Sequence, residues 1–421
     1  MMMQPRRRPV MDGFPDRHQG TVVRALLFGI ALLIAACGSG SDSGKGNTAD
    51  FTFGMILVGA QNDHGWSQAH YEAGRYVLEQ LHLPSDALIV AEKVNPADRP
   101  GVTIESVVDD MVAQGARLIF ATSDDMKAGI EAAAAAHPGV AMIWSSGDNA
   151  WAEGENYRAD LSNLGNIMGR IEYGKMIAGC AAALTTRTGG IGYLGPLIND
   201  ETRRLVNSAY LGARHCYAHY RGEDPAALRF EVQWIGFWFN IPGLTRNPTE
   251  VTDELFTAGA DVVISGLDTT EALLDAAAVS TDDDPVWAVP YNFDGACVGA
   301  PQVCLGVPYF NWGPAYLDAA QSVLDEDFTA TWQWLGPYWP DINDRHRTAV
   351  GWRSGQGLPA SARADLQDFI RALGRGDVQL YVGPLDWQDG SPFLADGEHA
   401  DDVQIWYAGQ LLEGIIGAST P

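Results

Sequence analysis

The sequence predicts an α/β protein of two doubly wound lobes, and three observations lead there. From Phe51 onward, apolar runs of strand length alternate with stretches of helical periodicity, the pattern of βαβ units and mostly parallel sheets. The runs are nearly continuous in apolar character, as expected of strands covered on both faces. The mid-chain stretch 156–166 shows no clear strand, and a chain of 421 residues is long enough for two domains of ordinary size.

Taken in order, the strand-like runs are 53–58, 87–92, 118–121 and 140–144, then 190–194, 230–235, 261–265, 286–290 and 305–309. Helical spacing covers 67–81, 103–114 and 128–136, then 168–184, 201–217, 248–258 and 270–278. The tail after Trp332 is rich in Trp, Gly and Pro, with a helix at 361–373, a hairpin around 381–393 and a closing helix near 401–412. The first lobe is expected over 51–165 plus about 295–332, and the second over 166–294 plus about 333–421.

Residues 1–36 read as an export signal to be set aside from fold reasoning: arginines lead into the short apolar run 25–34, too short for a secure membrane span. The run ends Leu33-Ile34-Ala35-Ala36-Cys37-Gly38. Small residues before a cysteine resemble a bacterial lipobox, so Cys37 is expected to carry the lipid. The Gly/Ser-rich stretch that follows, within 37–50, suits a flexible tether. The expected location is extracytoplasmic, anchored to the bacterial cell membrane.

A net charge of −26 repels polyanions and argues against nucleic acid as a partner, though not against a local basic pocket. The cysteines beyond Cys37 are Cys180, Cys216, Cys297 and Cys304. Export permits disulfides. Cys297 and Cys304 bracket a short loop and form the favoured pair; Cys180 with Cys216 would join two predicted helices. One disulfide plus two buried thiols stays open as well.

Several strand ends carry polar or aromatic side chains. After the first run comes Asp63-His64-Gly65-Trp66: a carboxylate, an imidazole and an indole at a strand-to-helix corner, where open α/β sheets hold ligands. The structural alternative is an Asx turn capping the next helix, with Trp66 buried. Asp124 follows the third run, Trp238 lies in the aromatic group 237–239 after another, and Asp268 and Asp294 follow two more. Each carboxylate alone could be a helix cap; their recurrence at one sheet edge suggests a cleft lining. The stretch 190–195 matches G-x-G-x-x-G, but its glycines lie within a strand and Pro196 follows, so it is not a nucleotide loop. No serine-hydrolase elbow or zinc-protease helix motif occurs.

These residues together resemble the basic membrane protein family of ABC-transporter substrate-binding lipoproteins, which includes purine nucleoside receptors. The resemblance runs from about Phe51 to Gly417 and rests on the 63–66 corner with 169–174, 191–194, 207–213, 238–240, 259–262, 311–314 and 383–384. It implies a type I periplasmic-binding fold with a hinge and an interlobe cleft. It also implies a purine base held between aromatic rings, carboxylates on base or ribose, and a membrane permease as partner. Asp63 and Trp66 fall on the family's first ligand corner, Asp124 near the second, Trp238 on the stacking aromatic and Asp294 on the sugar-binding carboxylate. His64, Asp268 and Trp312 complete the expected set. The chain departs from the family by having no lysine after Lys175, where some nucleoside receptors place one on the ribose.

The expected function is therefore a lipid-anchored, monomeric receptor for a purine-type small molecule, with no cofactor, metal or catalytic step. The alternatives are an exported metal-assisted hydrolase using Asp63 and His64, and a sensing or adhesion lipoprotein without a transport role.

Overall fold

The computed structural model describes residues 50–421. Cys37, the signal segment and nearly all of the tether lie outside the described residues.

The first sheet opens with β1 (Thr52–Ile56), α1 (Trp66–Leu81), β2 (Leu88–Ala91), α2 (Ile104–Ala113), β3 (Ala116–Ala121), α3 (Lys127–Ala136), β4 (Ala141–Ser145) and β5 (Leu164–Gly169). The chain crosses through α4 (Glu172–Thr185) into a second sheet. There follow β6 (Gly190–Gly195), α5 (Asp200–His219), β7 (Arg229–Trp234), α6 (Pro248–Thr257), β8 (Val262–Ser265), α7 (Glu271–Val279) and β9 (Trp287–Val289). It returns by β10 (Gly306–Phe310), α8 (Gly313–Leu324), β11 (Trp332–Leu335), β12 (Val350–Ser354) and α9 (Ala360–Arg375). It ends with the hairpin β13 (Leu385–Asp386) and β14 (Pro392–Leu394), α10 (Asp402–Trp406) and β15 (Ile415–Ile416).

The first sheet runs β11-β5-β4-β3-β1-β2 and the second β15-β7-β6-β8-β9, with every neighbouring pair parallel. All six residues of β6 and all five of β4 are buried, which is why these runs show no alternation. β10 and β12 form a separate antiparallel pair. One end of β10 joins the second sheet through the Ala288–Cys304 bridge, and at the other end the Phe310 ring meets Trp66 edge-on at 5.4 Å. This pair therefore links the two lobes, and α4 packs on it.

The sequence reading missed β5 and began a helix at residue 168, within it. The reason is composition. The strand reads Leu-Gly-Asn-Ile-Met-Gly, with two glycines and an amide but one β-branched residue. Asn166 is fully buried yet satisfied: its amide donates to Trp144 O and Asn149 Oδ1 and its oxygen accepts from Ala150 N–H. β11 and β12 were also not anticipated. The closing helix contracts to five residues, ended by Tyr407 in a non-helical conformation.

Helices α4 and α5 cross in close contact. A Cβ on Gly179 would lie 1.9 Å from Ala209 O, and one on Gly212 2.1 Å from Met176 O. At the same crossing Cys180 and Cys216 form a disulfide, both fully buried. Cys297 and Cys304 form the second. Both pairings considered from the sequence are thus present.

Candidate functional site

The carboxyl ends of the parallel strands of both sheets converge on one cleft, and the loops leaving them line a narrow pocket. From the first lobe, Trp66 follows β1, Ser123 and Asp124 follow β3, and Ser146 follows β4. From the second, β6 contributes Tyr193 and is followed by Pro196, Glu201 and Leu205. Trp238 follows β7, Asp268 follows β8 and Tyr291 follows β9. Each parallel strand delivers its next residue to the same edge, so the lining is discontinuous in sequence and continuous in space.

Trp66 is fixed before any ligand arrives. Its ring nitrogen donates to Thr122 O at 2.5 Å, and its indole meets His70, Phe310 and Trp312 edge-on at 4.6, 5.4 and 5.5 Å. Behind it, His70 Nδ1 and Ser145 Oγ share the Tyr316 hydroxyl at 2.7 and 2.8 Å. Burial drives the His70 pKa well down, so the imidazole is neutral. Trp238 on the opposite lobe is only 9% exposed, and its Nε1 makes no hydrogen bond of standard geometry, although the Asp125 carboxyl lies near it. The Tyr291 hydroxyl is also buried without a partner. Two tryptophans from facing lobes, one of them with an unspent N–H, can hold a flat heteroaromatic ring.

The polar lining is acidic. Burial pushes Glu201 up to about 7 and Asp124 up to about 6, and raises Asp268 well above the usual carboxylate range. Asp268 Oδ1 accepts from Asn292 Nδ2 at 3.2 Å. The nearest cations sit behind the wall. Lys175 Nζ donates to Ser265 O at 2.7 Å and lies 3.4 Å from the Tyr291 ring centroid. Arg204 is paired with Glu172 at 2.7 Å in full burial. Neither is part of the lining.

The expected residues separate into three groups. Trp66, Asp124, Trp238 and Asp268 come together in the pocket. Asp63 and His64 do not. Asp63 accepts from the backbone N–H groups of Gly65, Ser67 and Gln68, each at 2.9 Å, and so caps α1 as the structural alternative anticipated. His64 is exposed, in the left-handed region at φ 58°. Asp294 and Trp312 border a different depression, between α1 and the end of β10, where Asp294 is half-exposed and 3.7 Å from Arg353. Trp312 touches the pocket only by supporting Trp66. Glu201, Tyr193 and Tyr291 were missed. Tyr193 was hidden inside a strand and Glu201 inside a helical pattern; the position just past the end of β6 was the available signal for Glu201.

A family model described as ABC transporter substrate-binding protein, PnrA-like, matches residues 51–320. The chain belongs to this Bmp family. Its members are extracytoplasmic binding proteins of ABC transporters, not enzymes, so a small-molecule ligand and a membrane permease are its partners. A purine-binding protein of Brucella abortus is 26% identical over 352 residues, spanning 84% of this chain and 89% of that one. A Haloferax volcanii protein named for ABC-transporter glucose binding is 26% identical over 378 residues, spanning 90% and 83%. The fold is similar to that of an ABC-transporter solute-binding protein of Aeropyrum pernix, at a TM-score of 0.59 and 13% identity over 78% of this chain and 92% of that one. Among the described residues no helix is long and apolar enough to cross a membrane, and no cluster of side chains could hold a metal ion.

Proposed function

We propose that this protein is a lipid-anchored receptor that delivers a purine-type ligand to an ABC importer, with Cys37 as the lipidated residue and a single chain as the working unit. The observation that carries the ligand class is the presence of Trp66 and Trp238, from opposite lobes, in one pocket whose charged groups are carboxyls. Indole faces suit flat rings, and carboxyls suit the N–H groups of a nitrogen-rich heterocycle. A sugar pocket uses flat faces too, but four aromatic rings in one lining favour a wholly planar ligand. The name of the Brucella relative points the same way.

Asp63 and Trp312 belong to this reading as supports of the pocket rather than contacts. Asp63 fixes the start of α1, and Trp312 backs Trp66. Thermal shift of the full chain against nucleobases, nucleosides, sugars and amino acids tests the proposal, because ligand bound to the folded form raises the melting temperature by mass action. Shifts with purine-type compounds are expected. Shifts confined to sugars or amino acids would keep the family and overturn the ligand. Mass spectrometry of the membrane-associated protein tests the acyl group on Cys37.

A further inference from the structure

Beside the aromatic pocket lies a second, more polar chamber, and the two share three residues: Asp124, Ser146 and Glu201. These three form the partition between them. The outer chamber continues to Lys127, Arg204 and Tyr407.

Glu201 is the unusual member. It sits in the first turn of α5 and is 9% exposed, yet its carboxylate makes no hydrogen bond and no ion pair within 4 Å to any described residue. The nearby cations are hydrogen-bonded elsewhere, Arg204 to Glu172 and Lys175 to Ser265 O, and act on Glu201 only through space. Asp124, facing it from the other lobe, likewise makes no hydrogen bond through its carboxylate, although it is near enough for the two charges to repel. A buried polar group without a partner is costly in a folded protein unless something else supplies that partner. Here both carboxyls stand in the wall shared by the two chambers, and the wall of the aromatic one also carries the unpartnered Tyr291 hydroxyl.

We infer that Glu201, together with Asp124, is the specificity-determining contact that accepts the N–H donors on one edge of an amino-substituted ring. The inference rests on the purine reading of the pocket and deepens it. An ionised carboxylate is an acceptor only. It therefore favours an edge with two adjacent donors, such as the N1–H and 2-amino group of guanine. Hypoxanthine has the same ring and the same N1–H but lacks the 2-amino group. Adenine sets an acceptor nitrogen beside its amino group and so faces an ionised carboxylate with a lone pair. Losing a donor where the protein's acceptor is buried discriminates strongly, because the acceptor is then left unpaired.

The test is calorimetric titration of the full chain with guanine, hypoxanthine and adenine at pH 8, repeated for Glu201→Gln and Asp124→Asn. In the unsubstituted protein guanine should bind at least about tenfold more tightly than hypoxanthine, the scale of one charge-assisted hydrogen bond. Glu201→Gln should collapse that ratio toward one while changing hypoxanthine affinity by less than about threefold. Asp124→Asn reads the same ratio independently should the Glu201 variant fail to fold. Equal affinity for guanine and hypoxanthine in the unsubstituted protein overturns the inference, as does an unchanged ratio in a folded Glu201→Gln protein. Either result would leave the purine reading standing. Absence of binding by all three bases and by their nucleosides overturns both.

Discussion

Gly65 and Asp268 meet backbone to backbone across the cleft. A Cβ built on Gly65 would lie 1.6 Å from the Asp268 carbonyl oxygen, and that same oxygen accepts the Trp66 N–H at 3.3 Å. The contact joins the first-lobe corner to the loop after β8, so the closed arrangement of the lobes depends on the missing side chain. Closure about a hinge is how two-lobed receptors enclose ligand.

Gly65→Ala should therefore hold the lobes apart. The backbone neighbour cannot yield as a flexible side chain would. The expected loss is about 1–3 kcal/mol of binding, five- to 150-fold in affinity, with the melting temperature of the ligand-free protein nearly unchanged. Titration calorimetry and a melting curve on the same sample separate the two effects. Unchanged affinity would mean that closure does not require this approach.

Trp238 and Trp66 should behave differently on truncation, although both line the pocket. Trp66 is locked in an aromatic cluster with His70, Phe310 and Trp312, so Trp66→Ala should cost about 3–5 kcal/mol of stability as well as affinity. Trp238→Ala should lower affinity by about 1–3 kcal/mol, the scale of one ring stacked on a base, with a smaller loss of stability. Asp294→Asn, whose carboxylate faces Arg353 outside the pocket, should change affinity less than about twofold, well under one hydrogen bond.

Stability should fall as pH rises through the range set by the pocket carboxyls. Glu201 and Asp124 bind protons more tightly folded, at about 7 and about 6, than unfolded, at 4.5 and 3.8. Between those values the native state holds more protons than the unfolded chain, so raising the pH favours unfolding. Their destabilising effect begins near pH 4 and is complete above about pH 7. Glu201→Gln should raise the melting temperature of the ligand-free protein at pH 8 and leave it little changed at pH 4. Parallel melting curves at the two pH values decide it.

The Cys180–Cys216 disulfide closes a loop of 36 residues. Replacing both with alanine should cost about 3–4 kcal/mol by chain-entropy arithmetic, measured by denaturant unfolding. The Cys297–Cys304 pair, seven residues apart, should cost less, about 2–3 kcal/mol. Equal losses would indicate that loop length does not govern either.

Much of the architecture was legible in the chain because its cause is local. Buried parallel strands read as unbroken apolar runs, and β1, β3, β4, β6 and β8 stand where such runs lie. The corner 63–66 announced a strand-to-helix turn through its Asp, Gly and Trp, and Trp66 and Trp238 were recognisable as aromatics at strand ends. β5 was not legible, since its buried Asn166 is tolerable only because Trp144 O and Asn149 satisfy it from elsewhere in the chain.

The division of labour among the acidic residues was decided by tertiary structure alone. Asp63, Asp124, Asp268 and Asp294 look alike in sequence, each just past a strand. Asp63 spends its oxygens on three backbone N–H groups of its own helix, and Asp294 turns to Arg353. Asp124 and Asp268 arrive from opposite lobes at one pocket with Glu201, which opens a helical pattern in the sequence. Helix caps and buried runs are set by neighbours in sequence, so the chain itself declares them. Which carboxylates lose their water and face a common cavity depends on how two separately wound sheets meet, and only the folded molecule states that.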